Sequence, residues 1–319
     1  MLTAQNAVRR QRLPWHSDMK TAVLLLAHGT PDNVSEVPEY IRNVTGGRPI
    51  PDSVIEEVAH RYGLIGHSPL TEITIRQAQK LSEALSTPVY VGMRNWKPYI
   101  RETVKRMTAD GITRVVTICL APQNSRTSVG LYRSAAFKEA AGMAIDFVES
   151  WHDHPRLIEA FAERLQAALE KVGRGTTVVF TAHSVPSRTI ADGDPYEQQA
   201  KETAALVARE INLPDSQWVF AFQSQGMSGG PWIGPTVEET LRCLRNEGHS
   251  RALIQPIGFV CDHVEVLYDI DIGFRDYGSQ IGIETSRTES LNDSPTFIAA
   301  LAELVRRRLE RYAGGAHSG

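Results

Sequence analysis

The sequence predicts an α/β protein of two domains, each a parallel sheet flanked by helices, with a ligand cleft between them. Three observations carry that reading. Short β-branched runs alternate with amphipathic segments along almost the whole chain, the rhythm of strand–helix–strand units. A chain of 319 residues suits two cores of medium size. A short motif also recurs about half a chain apart. Ala27-His28-Gly29-Thr30-Pro31 follows the first strand and Ala182-His183-Ser184-Val185-Pro186 follows the fifth, so each half ends its first strand with a histidine at the sheet rim.

Taken in order, β-branched and apolar runs predict strands at 22–27, 88–92, 114–119, 144–148, 177–182, 217–223, 251–257 and 281–284. Helical periodicity lies between them, near 35–44, 52–62, 70–85, 97–109, 127–140, 154–172, 195–210, 235–247, 262–272 and 294–312. Gly/Pro clusters such as Thr45-Gly46-Gly47-Arg48-Pro49 and Ser228-Gly229-Gly230-Pro231 mark loops. The division that follows is a flexible leader over 1–20, a first domain over 21–150 and a second over 151–293. The helix at 294–312 is expected to pack back on the first domain, and the glycine-rich tail to be disordered.

Composition narrows the function classes. Apolar residues make up 42% and charged residues 22%, as in a soluble globular protein, and a net charge of −3 offers no electrostatic case for nucleic acid. Three widely spaced cysteines, Cys119, Cys243 and Cys261, with no C-x-x-C, give no disulfide framework and no iron–sulfur or zinc-ribbon site, which fits a reducing cytoplasm. The leader has basic residues but no apolar core, and no run approaches a membrane span. There is no G-x-G-x-x-G, Walker A or G-x-S-x-G element, which argues against nucleotide enzymes and α/β-hydrolases.

The chemistry concentrates at Gly258–Asp271, directly after the strand at 251–257. Asp262 can cap a helix there, and at 100° per residue Asp262, Glu265 and Asp269 share one face while Val266, Leu267 and Ile270 share another. A column of carboxylates beyond the carboxyl ends of the strands is where open α/β sheets bind ligands. With His183 arriving from another strand end, the set can act as a metal site or as an acid/base pair. It is too sparse for a closed structural metal and suits an ion bound loosely and passed on.

The residues also carry a family resemblance. Leu24-Leu25-Leu26-Ala27-His28-Gly29-Thr30-Pro31, Arg61-Tyr62 with Ser68-Pro69-Leu70, and Val91-Gly92-Met93-Arg94-Asn95-Trp96 resemble ferrochelatase. So do Leu120-Ala121-Pro122-Gln123-Asn124-Ser125, Thr181-Ala182-His183-Ser184-Val185-Pro186, Gln223-Ser224-Gln225-Gly226, Pro231-Trp232-Ile233-Gly234-Pro235 and Gly258-Phe259-Val260-Cys261-Asp262-His263-Val264-Glu265. The likeness runs in order from Thr21 to Arg311. It implies two Rossmann-like domains around a cleft and insertion of Fe2+ into a porphyrin in haem biosynthesis. Iron is then a substrate, with no tightly bound cofactor.

By the same resemblance His183 and Glu265 are the central pair and the residues that meet the metal. Glu265 removes pyrrole protons, Asp269 relays them, and His183 delivers iron or accepts protons. Arg61, Ser68 and Ser224 occupy positions that hold propionates, Arg48 in its glycine-rich turn can join them, and the Asn124-Ser125 loop belongs to the substrate site. Trp96, Trp232, Tyr62 and Ile65 are candidate walls. Partners beyond porphyrin and iron would be transient neighbours in the haem pathway, and the chain is expected to be a monomer.

Three departures from the family pattern stand out. Gly273 occupies the place where a third carboxylate often continues the acidic row, and Asp271, about 180° from Asp262, does not replace it. His28 sits where relatives often carry Tyr, Met or Phe against the macrocycle; it is expected to face the ring opposite His183 and to ligate product iron. There is no C-terminal cysteine cluster. The segment Ile65-Gly66-His67-Ser68 and the Asn124-Ser125 loop look closer to ferrochelatases that act on coproporphyrin III than to those that use protoporphyrin IX. The rival readings are a protoporphyrin enzyme, a chelatase for cobalt or nickel, and a non-catalytic two-lobed binder of haem.

Overall fold

A computed structural model describes residues 20–140, 142–226 and 230–314. The predicted leader, apart from Lys20, and the glycine-rich tail beyond Gly314 lie outside the described residues. Among the described residues, eight strands form two four-stranded sheets. The first holds β1 (Thr21–Ala27), β2 (Val89–Met93), β3 (Arg114–Cys119) and β4 (Ala144–Val148) in the order β2-β1-β3-β4. The second holds β5 (Thr177–His183), β6 (Trp218–Gln223), β7 (Arg251–Pro256) and β8 (Glu284–Arg287) in the order β6-β5-β7-β8. Every neighbouring pair is parallel.

The two orders are the same, so β1 and β5 hold equivalent central places. In each sheet the chain first builds outward on one side and then crosses to the other, leaving a switch point beside the strand that ends in a histidine. β1 and β5 are buried along nearly their whole length, as strands covered on both faces must be.

The helices are α1 (Val37–Val44), α2 (Asp52–Ile65), α3 (Leu70–Leu85), α4 (Ile100–Ala109), α5 (Val129–Glu139), α6 (Pro155–Val172), α7 (Ser187–Ala191), α8 (Tyr196–Glu210), α9 (Val237–Asn246), α10 (Val264–Leu267), α11 (Arg275–Ile281) and α12 (Pro295–Gly314). Thr236 and Glu239 close a reciprocal capping box at the start of α9. The largest core cluster joins β1 and β3 residues such as Val23, Leu25 and Ile118 to Phe161, Phe180 and Phe297 of the second half. α12 touches both α3 and α6, with Phe297 against Trp151.

Two departures from the predicted elements have clear causes. The last strand starts at Glu284, not at 281, because Ile281 closes α11 and Gly282 turns the chain at φ +79°. The single helix predicted over 262–272 is instead a four-residue α10 that widens into a π-helix over Asp269–Phe274 before α11.

One close approach governs the join between sheet and site. The turn after β7 passes over β5 so tightly that a Cβ on Gly258 would lie 2.9 Å from the Ala182 Cβ and 3.0 Å from its Cα. No side chain fits there without moving backbone. Gly258→Ala is expected to cost about 2 kcal/mol of stability in urea unfolding, and an unchanged midpoint would show that the crossing is looser than this geometry requires.

Candidate functional site

The strand ends of both sheets open onto one cavity of about 580 Å³, within the range of small-molecule sites. His28 reaches it from the end of β1 and His183 from the end of β5. Glu265 and His263 come from the start of α10, and Trp232 and Arg48 from loops.

The centre is a carboxylate between two imidazoles. Glu265 Oε1 lies 3.7 Å from His183 Nε2, and Oε2 lies 3.6 Å from His263 Nε2. His183 Nδ1 donates to the Ser184 carbonyl, and His263 Nδ1 donates to the Cys261 carbonyl at 3.0 Å. A carbonyl only accepts, so each Nδ1 carries a proton, and in each ring Nε2 is the nitrogen turned toward Glu265. Phe259 packs edge-on between the two rings, with centroids 6.4 Å from His183 and 4.6 Å from His263. The Gln223 amide donates to the Glu265 carbonyl at 3.1 Å, fixing the backbone that carries the carboxylate.

Burial pushes the Glu265 carboxyl up, but His183, His263 and His28 together outweigh it and bring its pKa down to about 2. One turn on, Asp269 behaves in the opposite way. Burial first, and the Glu265 charge second, hold it at about 6 against an ordinary 3.8. Ser224 Oγ donates to Asp269 Oδ2, and the Arg61 guanidinium approaches Oδ1 at 3.7 Å while also binding Glu57 at 2.9 Å. A low carboxylate followed by a high one is a pair between which a proton can pass, the Arg61 guanidinium standing beside the second as a fixed charge.

Several predicted site residues stand elsewhere. Asp262 neither caps the helix nor joins the carboxylate column. Its oxygens accept from Ser290 Oγ at 2.7 Å and Asn292 Nδ2 at 2.8 Å, and Arg287 lies 3.3 Å away. The 100° period assumed a continuous α-helix from Asp262, and the helix begins only at Val264. Asp271 points away as expected and forms a two-pronged pair with Arg287 at 2.8 and 3.0 Å, which pins the π-helix to β8. Trp96 and Tyr62 are not cavity walls: at 1% and 3% exposure they are packed with Tyr40 in a cluster of their own, which Ile65 joins from its edge.

Ser68 is likewise sealed at 2% exposure, its hydroxyl without a hydrogen-bond partner among the described residues. Ser125 is turned toward Asp194, which its hydroxyl meets at 3.2 Å. Arg48 does line the cavity, exposed, with Nε donating to the Thr45 carbonyl. Trp232 lines it as well, its ring centroid 6.4 Å from that of His183. At His28, Nε2 lies 3.0 Å from the Tyr40 hydroxyl and 3.1 Å from the Asn95 amide. A ring bound to iron through Nε2 would have to give those contacts up. The sequence reading gave no role to His263, although an imidazole two residues before Glu265 in Asp262-His263-Val264-Glu265 was the available signal. Among the described residues, no group of three His, Cys, Asp or Glu side chains forms a metal-holding set.

Two equal strand orders, one shared cleft and an imidazole–carboxylate centre define a chelatase-like protein. Solved chelatases share the fold: SirB from Bacillus subtilis with Fe3+ at a TM-score of 0.61 and 13% identity, covering 93% of this chain and 98% of that one, and CbiX, the terminal enzyme for biosynthesis of sirohaem in denitrifying bacteria, at 0.54 and 16%, covering 90% and 98%. The profile of the Ferrochelatase family matches residues 20–309. A ferrochelatase of Acidobacterium capsulatum is 57% identical over 92% of this chain and 95% of its own. A coproporphyrin III ferrochelatase of a Geobacillus species is 35% identical over 91% and 98%. The chain belongs to the ferrochelatase family, whose reaction is insertion of ferrous iron into a porphyrin.

Two groups of the site leave opposite marks on stability. Burial first, and the Arg94 guanidinium second, lower the His28 pKa to about 4 from 6.5. The unfolded chain therefore takes up that proton before the native one does, and stability rises as pH climbs from about 4 to 6.5. Asp269 loses its proton at 3.8 when unfolded and at about 6 when folded, so it removes stability over nearly the same window. The two slopes oppose one another. In Asp269→Asn the rise with pH should steepen, and in His28→Phe it should flatten or reverse, each by up to roughly 1 kcal/mol per pH unit. Urea midpoints between pH 4 and 6.5 measure this, and two unchanged profiles would mean that neither group titrates as described.

Proposed function

We propose that this chain metalates coproporphyrin III to coproheme, with Glu265 as the base for the pyrrole protons. The observation that carries the reading is the Glu265 carboxylate held at the cavity between His183 Nε2 and His263 Nε2. Metalation breaks two N–H bonds, forms bonds from four nitrogens to iron and releases two protons, with no change of oxidation state. It therefore needs a base close to the ring and somewhere for the protons to go. Glu265 is ionised at neutral pH, and Asp269 titrates near it and lies on the way to solvent past Arg61. His183, with Nε2 directed inward, either passes iron to the ring or takes the second proton. Two donors that hold Fe2+ weakly release it, as a substrate metal requires.

Specificity for coproporphyrin III rests on relatives of that name and on guanidinium groups at the cavity, which suit a substrate with four propionates. The same reading gives the enzyme no resident cofactor. Cys119, Cys243 and Cys261 are free and stand on different elements. No helix among the described residues is long and apolar enough to cross a membrane, and the reading extends to a cytoplasmic monomer.

Glu265→Gln is expected to lower zinc or iron insertion by roughly 10²-fold or more, while porphyrin affinity, followed by fluorescence quenching, stays within about threefold. Full metalation by the variant would mean that the carboxylate is not the base, and a wild type that binds porphyrin without metalating it would favour the haem-binder reading. Insertion rates with coproporphyrin III and protoporphyrin IX side by side test the substrate. Faster protoporphyrin turnover would reverse the assignment.

A further inference from the structure

The loop between β3 and α5 walls the cavity, and the second half of the chain holds that loop in place. Four residues in a row bond across to it. Gln123 Nε2 donates to Thr203 Oγ1 at 3.1 Å and to the Ile257 carbonyl at 3.2 Å, and the Asn124 N–H donates to Gln199 Oε1 at 2.6 Å. Ser125 Oγ and the Arg126 N–H both donate to Asp194 Oδ2, at 3.2 and 2.8 Å. The Arg126 guanidinium completes the set on the Thr189 carbonyl at 3.1 Å and Asp192 at 2.8 Å. Gln123, Thr127 and Ser128 line the central cavity, while Asn124 and Arg126 line a second one of about 290 Å³. The loop is a thin partition, and its position depends on what grips it.

Asp194 is the grip that reaches farthest into the site. It is 9% exposed, and its other oxygen, Oδ1, accepts from the Tyr196 N–H at 3.1 Å. Tyr196 opens α8 and lines the cavity, and its hydroxyl meets the backbone of His183. One carboxylate thus joins the partition, through Oδ2, to the support of the His183 imidazole, through Oδ1. Its donors are one hydroxyl and two backbone N–H groups, all uncharged, and among the described residues no lysine or arginine forms an ion pair with it. Burying a charge without a counter-ion is costly, so stability alone gives little reason for a carboxylate here. What it supplies is acceptors toward both lobes at once. An asparagine has a single acceptor oxygen, and its amide would face an N–H donor at the other end.

We propose that Asp194 is a positioning residue for metal insertion, holding the His183 imidazole and the partition at one separation. The inference rests on the reading that places His183 at the reacting centre and goes beyond it. Porphyrin affinity is spread over the whole cavity, whereas insertion needs imidazole and ring in register, and a displacement of about 1 Å can cost roughly 10²-fold in rate. Loosening the joint should therefore lower kcat and leave KM nearly unchanged.

The test follows zinc insertion into coproporphyrin III and protoporphyrin IX by wild type, Asp194→Asn, Tyr196→Phe, the double variant and Asp192→Asn, at a temperature where each is folded. In Asp194→Asn kcat is expected to fall about tenfold or more, with the porphyrin KM within about threefold. Tyr196→Phe, which deletes only the hydroxyl at the His183 end, should show a smaller loss of the same kind. The double variant should fall little below Asp194→Asn, because both changes cut one connection. Asp192→Asn, which removes an exposed pair, should stay within about twofold. A wild-type kcat in folded Asp194→Asn overturns the proposal however far its Tm has dropped, since a purely structural carboxylate would give that result. So does a loss confined to KM, a strictly additive double variant, or an equal loss in Asp192→Asn. If Asp194→Asn does not fold, Tyr196→Phe decides by the same split between kcat and KM. Undiminished insertion by His183→Ala would instead remove the reading on which the inference rests.

Discussion

The passage of Gly258 over Ala182 is the constraint on which the site depends. With no side chain between them, the turn after β7 comes down onto β5 and carries Phe259 into the gap beside His183. From there the chain has only a few residues in which to start α10, and His263 and Glu265 are delivered opposite the imidazole that ends β5. Backbone proximity is thus converted into a fixed spacing between His183 and Glu265, with the Phe259 ring filling the gap beside them.

The electrostatics are built in the same economical way. Three imidazoles and one carboxylate share a small volume, and each alters the proton affinity of the rest. The histidines keep Glu265 ionised despite its burial, and Glu265 in turn makes Asp269 reluctant to lose its proton. A gradient of proton affinity results, with the weaker base at the cavity and the stronger base one turn farther along the chain.

Much of this was legible in the sequence. β1 and β5 are legible because strands covered on both faces are continuous apolar runs, and the repeated Ala-His at their ends directs His28 and His183 to one cavity. What failed did so for local reasons. Asp262 was lost to the column because Ser290 and Asn292, far away in sequence, bind its oxygens. The π-helix is invisible to a 100° period, since widening a helix requires no particular residue. Trp96 reads the same whether it walls a cleft or fills a core, and only its packing against Tyr40 decides.

The last helix has a mechanical meaning. Phe297, Leu301 and Val305 of α12 are fully buried in a core that also contains Leu25 and Phe180, one from each sheet. Prising the lobes apart would strip solvent-free contacts from both at once, at a cost of about 2 kcal/mol for each large side chain uncovered. The cleft is therefore closer to a vice than to a jaw. The two lobes are held at one spacing, and whatever enters the cleft meets a gap of set width.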